Sequence, residues 1–135
     1  MTTYNLNFQG YWLEGKVRTL PQGSGIYFVY KCIYDVVKDS VKLLDLLYIS
    51  KADNIYQQLV DFDKTSISAS DDTLCFSCAL VDKDNLNIVE DALILVQKPA
   101  GNQIIKESFD YSDLEFHLTG RCNLFKCCDF RITKD

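Results

Sequence analysis

Between Gly25 and Ser50 the chain carries two runs in which apolar and aromatic residues dominate. Ile26-Tyr27-Phe28-Val29-Tyr30-Lys31-Cys32-Ile33-Tyr34 is rich in β-branched and aromatic side chains and predicts a strand. Asp35 to Ser40 is polar enough for a connection. Val41 to Ser50, ending in Leu46-Leu47-Tyr48-Ile49, predicts a second strand. A link this short makes the two an antiparallel hairpin. Upstream, the first twenty residues hold Tyr11-Trp12 but suggest no regular element, and Pro21 with Gln22-Gly23-Ser24-Gly25 breaks any regular element there.

The period then changes. Ile55, Leu59 and Phe62 fall on one helical face, so a helix is expected over Asn54 to Val60 with Asp53 as its cap. Lys64 to Asp72 is rich in Ser, Thr and Asp and reads as a loop, and Thr73 to Val81 as a third strand. A second helix starts at Asp84 or Asn85 and runs through Gln97, stopped by Pro99 and Gly101. Ile88, Ala92 and Leu95 line one side of it, with Val89, Leu93 and Val96 beside them. So wide an apolar face predicts burial. From Leu114 the alternation Leu114, Phe116, Leu118 marks a strand, Thr119-Gly120 a turn, and Leu124 to Ile132 a returning strand. The order is strand, strand, helix, strand, helix and a terminal hairpin. This predicts one α+β domain over residues 1–135: a small mixed or antiparallel sheet flanked by helices, with a C-terminal β-hairpin.

Composition narrows the chemistry. Nineteen acidic residues against 14 basic ones give a net charge of −5, and the basic residues form no run. Proteins that hold nucleic acid through its phosphates usually present a basic face, so the balance weighs against that class without removing it. No apolar run is long enough to span a bilayer and the N-terminus lacks a signal pattern, so a cytoplasmic protein with no membrane partner is expected. Six cysteines raise the question of zinc. Cys75 and Cys78, however, lie three apart in strand sequence and so face opposite sides. No zinc is expected; reduced thiols, mostly buried, are.

Three segments together resemble the GIY-YIG nuclease family. Gly25-Ile26-Tyr27 matches the first half of its signature and Tyr48-Ile49-Ser50 the second, with Ser in place of Gly. Glu90-Asp91-Ala92-Leu93-Ile94, followed by Lys98-Pro99 and Asn102, is similar to the family's glutamate helix and trailing asparagine. Gly10-Tyr11-Trp12, Leu74-Cys75-Phe76-Ser77 and Phe109 ahead of the last hairpin fit a bacterial subgroup. The long separation of Tyr27 from Tyr48 is a departure that implies extended strands or an inserted loop.

The resemblance implies metal-dependent endonuclease chemistry on nucleic acid, with DNA as the partner. Glu90 would hold Mg2+ or Mn2+, hard ions that suit a carboxylate and acidify a bound water. Tyr27 and Tyr48 would converge on the phosphate and the attacking water, with Ser50 and Asn102 on the substrate side. Where the family has an arginine this chain has Gln58, and Phe62 lies near the place of a frequent histidine. Glutamine keeps hydrogen-bond donors but brings no charge. Lys51 is the local cation that could replace the missing one. His117, the only histidine, reads as structural. The alternative is a non-catalytic domain that binds nucleic acid or another protein, for which Tyr11, Trp12, Tyr56 and Tyr111 supply aromatic surface. Oligomeric state is left open.

Overall fold

The computed structural model describes residues 1–102 and 113–133. Six strands and two α-helices are formed within them: β1 Thr2–Leu13, β2 Gly25–Asp35, β3 Ser40–Ala52, α1 Ile55–Val60, β4 Leu74–Leu80, α2 Leu86–Gln97, β5 Leu114–Gly120 and β6 Asp129–Ile132. They make a mixed α+β fold on one six-stranded sheet of order β3-β2-β4-β1-β5-β6. Every neighbouring pair is antiparallel except β1 with β5, which run parallel. Phe109 and Tyr111 lie outside the described residues.

Both faces of the sheet are covered. One side packs Ile26, Phe28, Tyr30, Ile49 and Cys75 with Val89, Ala92 and Leu93 of α2. The other packs Tyr27, Val29, Phe76 and Cys78 with Ile55 and Leu59 of α1. β2 and β4 therefore lack the alternation of a half-exposed strand: Gly25 to Tyr30 and Leu74 to Ala79 are buried throughout. Cys75 and Cys78 do fall on opposite faces, as residues three apart on a strand must. The opening glycine of β2 has a steric reason: a Cβ on Gly25 would run into the carbonyl oxygen of Ala79 on β4.

Several expectations need correction. The first twenty residues contain a twelve-residue strand, β1, and it lies inside the sheet between β4 and β5. Its signal is the alternation Tyr4, Leu6, Phe8, of which Leu6 and Phe8 are buried. Asn54, not Asp53, caps α1, its side chain accepting the Gln57 N–H at 3.0 Å. The expected loop from Lys64 contains a short 3-10 turn, Lys64–Ile67. The buried face of α2 centres on Leu86, Val89, Ala92 and Leu93, leaving Ile88, Leu95 and Val96 half-buried. The helix ends as anticipated before Pro99, with Lys98 left-handed and its N–H on the Ile94 carbonyl.

The terminal hairpin is also shorter than expected. Its return strand is only Asp129–Ile132, and the preceding residues form a packed connection. Phe125 from that connection sits against Phe28 and Phe8, with ring centroids 4.2 and 5.5 Å away. Buried Gln97 fastens it: its amide donates to the Cys127 carbonyl at 2.6 Å, and its Oε1 accepts the N–H groups of Lys126 and Cys127 at 2.6 and 3.3 Å.

Candidate functional site

β3 is an edge strand, so alternate backbone groups along it have no strand to pair with. The chain covers that edge with the segment around α2. The Gly101 N–H donates to the Leu47 carbonyl at 2.6 Å. Asn102 pairs with both groups of Ile49, accepting its N–H at 3.0 Å and donating to its carbonyl at 2.9 Å. Glu90 takes the next position, its Oε2 accepting the Lys51 N–H at 2.9 Å. Leu47, Ile49 and Lys51 are thus satisfied in turn, and the asparagine amide acts as a one-residue substitute for a neighbouring strand. Gly101 is required by the close approach, because a Cβ there would meet the Leu47 carbonyl oxygen.

Beside this edge the sequence-predicted residues meet. Tyr27 and Ser50 are direct cross-strand partners. The Ser50 hydroxyl donates to Glu90 Oε2 at 3.4 Å. Tyr48 stands two residues along β3, its ring 6.3 Å from that of Tyr27. Gln58 comes from the exposed side of α1, and its side chain together with that of Ser50 approaches the Tyr27 hydroxyl. Burial pushes the Tyr27 phenol up to about 12; Ser50 and Gln58 pull against this, while Tyr48 and Glu90 add to it. A phenol held that high is a hydrogen-bond donor at neutral pH and a poor general base.

Phe62 closes the inner wall. Its ring meets Tyr27 edge-on at 6.2 Å and Phe76 at 5.6 Å, so this half-buried side chain packs against the core. Lys51 is adjacent, and its ammonium group is held by the Asn87 carboxamide on α2. Asn87 and Glu90 are three residues apart and share one helical face, a spacing that could have marked Asn87 in the sequence. Asn102 lies one step along the edge from Glu90, with its amide engaged by Ile49. The arrangement gathers Tyr27, Tyr48, Ser50, Gln58 and Glu90 and leaves the cation at the rim.

A divalent ion can be tested against this donor set. Among the described residues both hydrogen bonds to Glu90 fall on Oε2, which leaves Oε1 outside them. Among the described residues no group of three His, Cys, Asp or Glu side chains is placed to hold a metal. A hard ion such as Mg2+ or Mn2+ at Glu90 Oε1 would have to draw the rest of its shell from waters and a substrate rather than from a protein cage. Among the described residues no helix is long and apolar enough to cross a membrane. No family model, curated protein or solved structure matches the chain.

Proposed function

We propose that this chain is a GIY-YIG-like nuclease domain whose metal-dependent hydrolysis of nucleic acid phosphodiesters is strongly attenuated. The observation that carries this reading is the meeting of Tyr27, Ser50, Gln58 and Glu90 from four separate segments, with an uncharged glutamine at the tyrosine hydroxyl. Glu90 would hold the metal, which when bound polarises the phosphate and acidifies a water. Tyr27, kept protonated by burial, donates a hydrogen bond toward a phosphate oxygen, and Tyr48 and Ser50 orient the group beside it. Gln58 adds a hydrogen bond but no charge. By analogy with arginine fingers, the missing cation costs on the order of 10³–10⁵ in rate.

The test is cleavage of supercoiled, linear and single-stranded DNA with magnesium or manganese. Gln58→Arg is expected to raise the metal-dependent product above that of the wild-type chain. Glu90→Gln in that background is expected to abolish it, while retaining an acceptor for the Lys51 N–H. No gain from Gln58→Arg, or product that persists in the double variant, removes the reading.

A second reading is favoured by the β3 edge. Glu90 and Asn102 both cover backbone groups there, a structural task that accounts for them without chemistry. On that reading the chain is a non-catalytic binding domain for nucleic acid or another protein. Gln58→Arg then yields no product, and the residues matter through stability alone.

A further inference from the structure

The six cysteines fall into two groups. Cys32, Cys75 and Cys78 are buried in the sheet, whereas Cys122, Cys127 and Cys128 lie half-buried in the connection between β5 and β6. Burial pushes the Cys78 thiol up to about 12 and raises those of Cys32 and Cys75 as well. Thiols so placed are inert, because the reacting form is the thiolate and reagents do not reach it. The connection is where thiol chemistry has room to occur.

Two of its thiols touch: Cys122 Sγ lies 3.7 Å from Cys128 Sγ. The sheet holds both residues at the base of the connection. On one side the Arg121 N–H donates to the Phe8 carbonyl at 2.7 Å and the Cys122 N–H to the Gly120 carbonyl at 3.0 Å. On the other the Cys128 carbonyl accepts the Leu118 N–H at 2.8 Å. Cys127 is engaged elsewhere, its Sγ donating to the Asp129 carbonyl at 3.0 Å. A disulfide bond of about 2.05 Å asks the two sulfurs to approach by only roughly 1.7 Å, a matter of side-chain torsions. Burial, and after it the Cys122 thiol, push Cys128 up to about 11. Cys128 therefore keeps its proton and donates it toward Cys122, which leaves Cys122 as the nucleophile.

We infer that Cys122 and Cys128 form a reactive dithiol whose substrate is a small-molecule disulfide, which closes them into an internal disulfide at the base of the connection. The Cys122 thiolate attacks one sulfur of the reagent; the reagent's sulfur–sulfur bond breaks and its first thiolate leaves. Cys128 then gives up its proton, attacks the Cys122 sulfur and expels the second thiolate. The two protein thiols are oxidised, the reagent is reduced to two thiols that take up the two protons, and no other oxidant enters. The product staples residues 122–128 where Phe125 and Gln97 already pack them.

The test treats the folded full chain with oxidised glutathione, alkylates it with N-ethylmaleimide and maps its tryptic peptides by mass spectrometry. Cleavage after Arg121, Lys126 and Arg131 puts Cys122 and Cys128 on separate peptides. An internal disulfide therefore joins residues 122–126 to 127–131 with the loss of two hydrogens. This cross-link is expected in the wild-type chain and in Cys127→Ser, and dithiothreitol is expected to reverse it. Cys128→Ser is expected to stop at a glutathione adduct on Cys122. Cys32, Cys75 and Cys78 are expected to escape alkylation, the mark of a chain that reacted while folded. Stable adducts without a cross-link, a cross-link that requires Cys127, or one that forms only when the core thiols also react overturns the inference. None of these results bears on cleavage at the Glu90 site.

Discussion

His117 projects from β5 between two carboxylates, with Nδ1 2.8 Å from Asp129 and Nε2 3.3 Å from Glu115. Hydrogen bonding to Asp129 and then Glu115 raises its pKa, and the same cluster lowers that of Glu115, chiefly through Arg131. The folded value of His117 lies above the unfolded one of about 6.5. Its contribution to stability is therefore complete below that unfolded value and is lost as pH rises through the folded one. Asp129 and Arg131 are open to solvent and His117 is partly so, which keeps the effect on global stability small. The expected result is an NMR titration midpoint for His117 above the ordinary histidine range, moved down by Asp129→Asn. A midpoint at or below the ordinary value, or one indifferent to the substitution, contradicts the assignment. The sequence marked His117 as structural; Glu115, two residues away on β5, shares its face by strand spacing, whereas Asp129 comes from β6 and could not be read that way.

At the scale of elements, the connection from Arg121 to Cys128 is decided by one buried amide. Gln97, 2% exposed at the end of α2, makes hydrogen bonds to Lys126 and Cys127 that a free loop would make with water. Gln97→Leu removes these partners while keeping most of the side-chain volume. We expect it to cost about 1 kcal/mol in denaturant unfolding, the net loss of part-buried hydrogen bonds whose backbone partners can turn to water. Hydrogen exchange should quicken at the amides of Lys126 and Cys127 and not at those of β2. Uniform exchange across the sheet, or unchanged stability, would show that the connection is fixed by Phe125 instead. Alternation from Leu124 onward suggested a strand here, but tertiary packing overrode it. Phe125 is drawn against Phe8 and Phe28, and Gln97 occupies the backbone groups that pairing would have used.

The whole molecule depends on β1. It pairs with β4 on one side and β5 on the other, so it alone joins the β3-β2-β4 half of the sheet to the β5-β6 half. It also contributes Leu6 and Phe8 to the core packed under α2. Deleting residues 1–13 should split the sheet and abolish cooperative thermal unfolding followed by circular dichroism. A truncated chain that still melts in one sharp transition would mean that the C-terminal hairpin docks without it. The parallel pairing of Thr2–Phe8 with Leu114–Gly120 joins residues more than 100 positions apart, and no local pattern announces such a contact.

By itself the sequence determined the local elements whose signal is short in range. The aromatic runs of β2 and β3, the helical spacing of Ile55 and Leu59 and the Pro99 stop all act through neighbouring residues. It also brought forward Tyr27, Tyr48, Ser50, Gln58 and Glu90, because their order along the chain carries a resemblance. Only the tertiary structure decided what those residues face. Strand order left the β3 edge open, and that opening drew Glu90 and Asn102 onto backbone groups. Lys51 turned to Asn87 because α2 lies on that side of the edge, and Phe62 turned inward because the ring of Phe76 lies beneath it. Backbone hydrogen bonds and ring packing are satisfied across the whole chain at once, and so a site's occupants are fixed only when the sheet is.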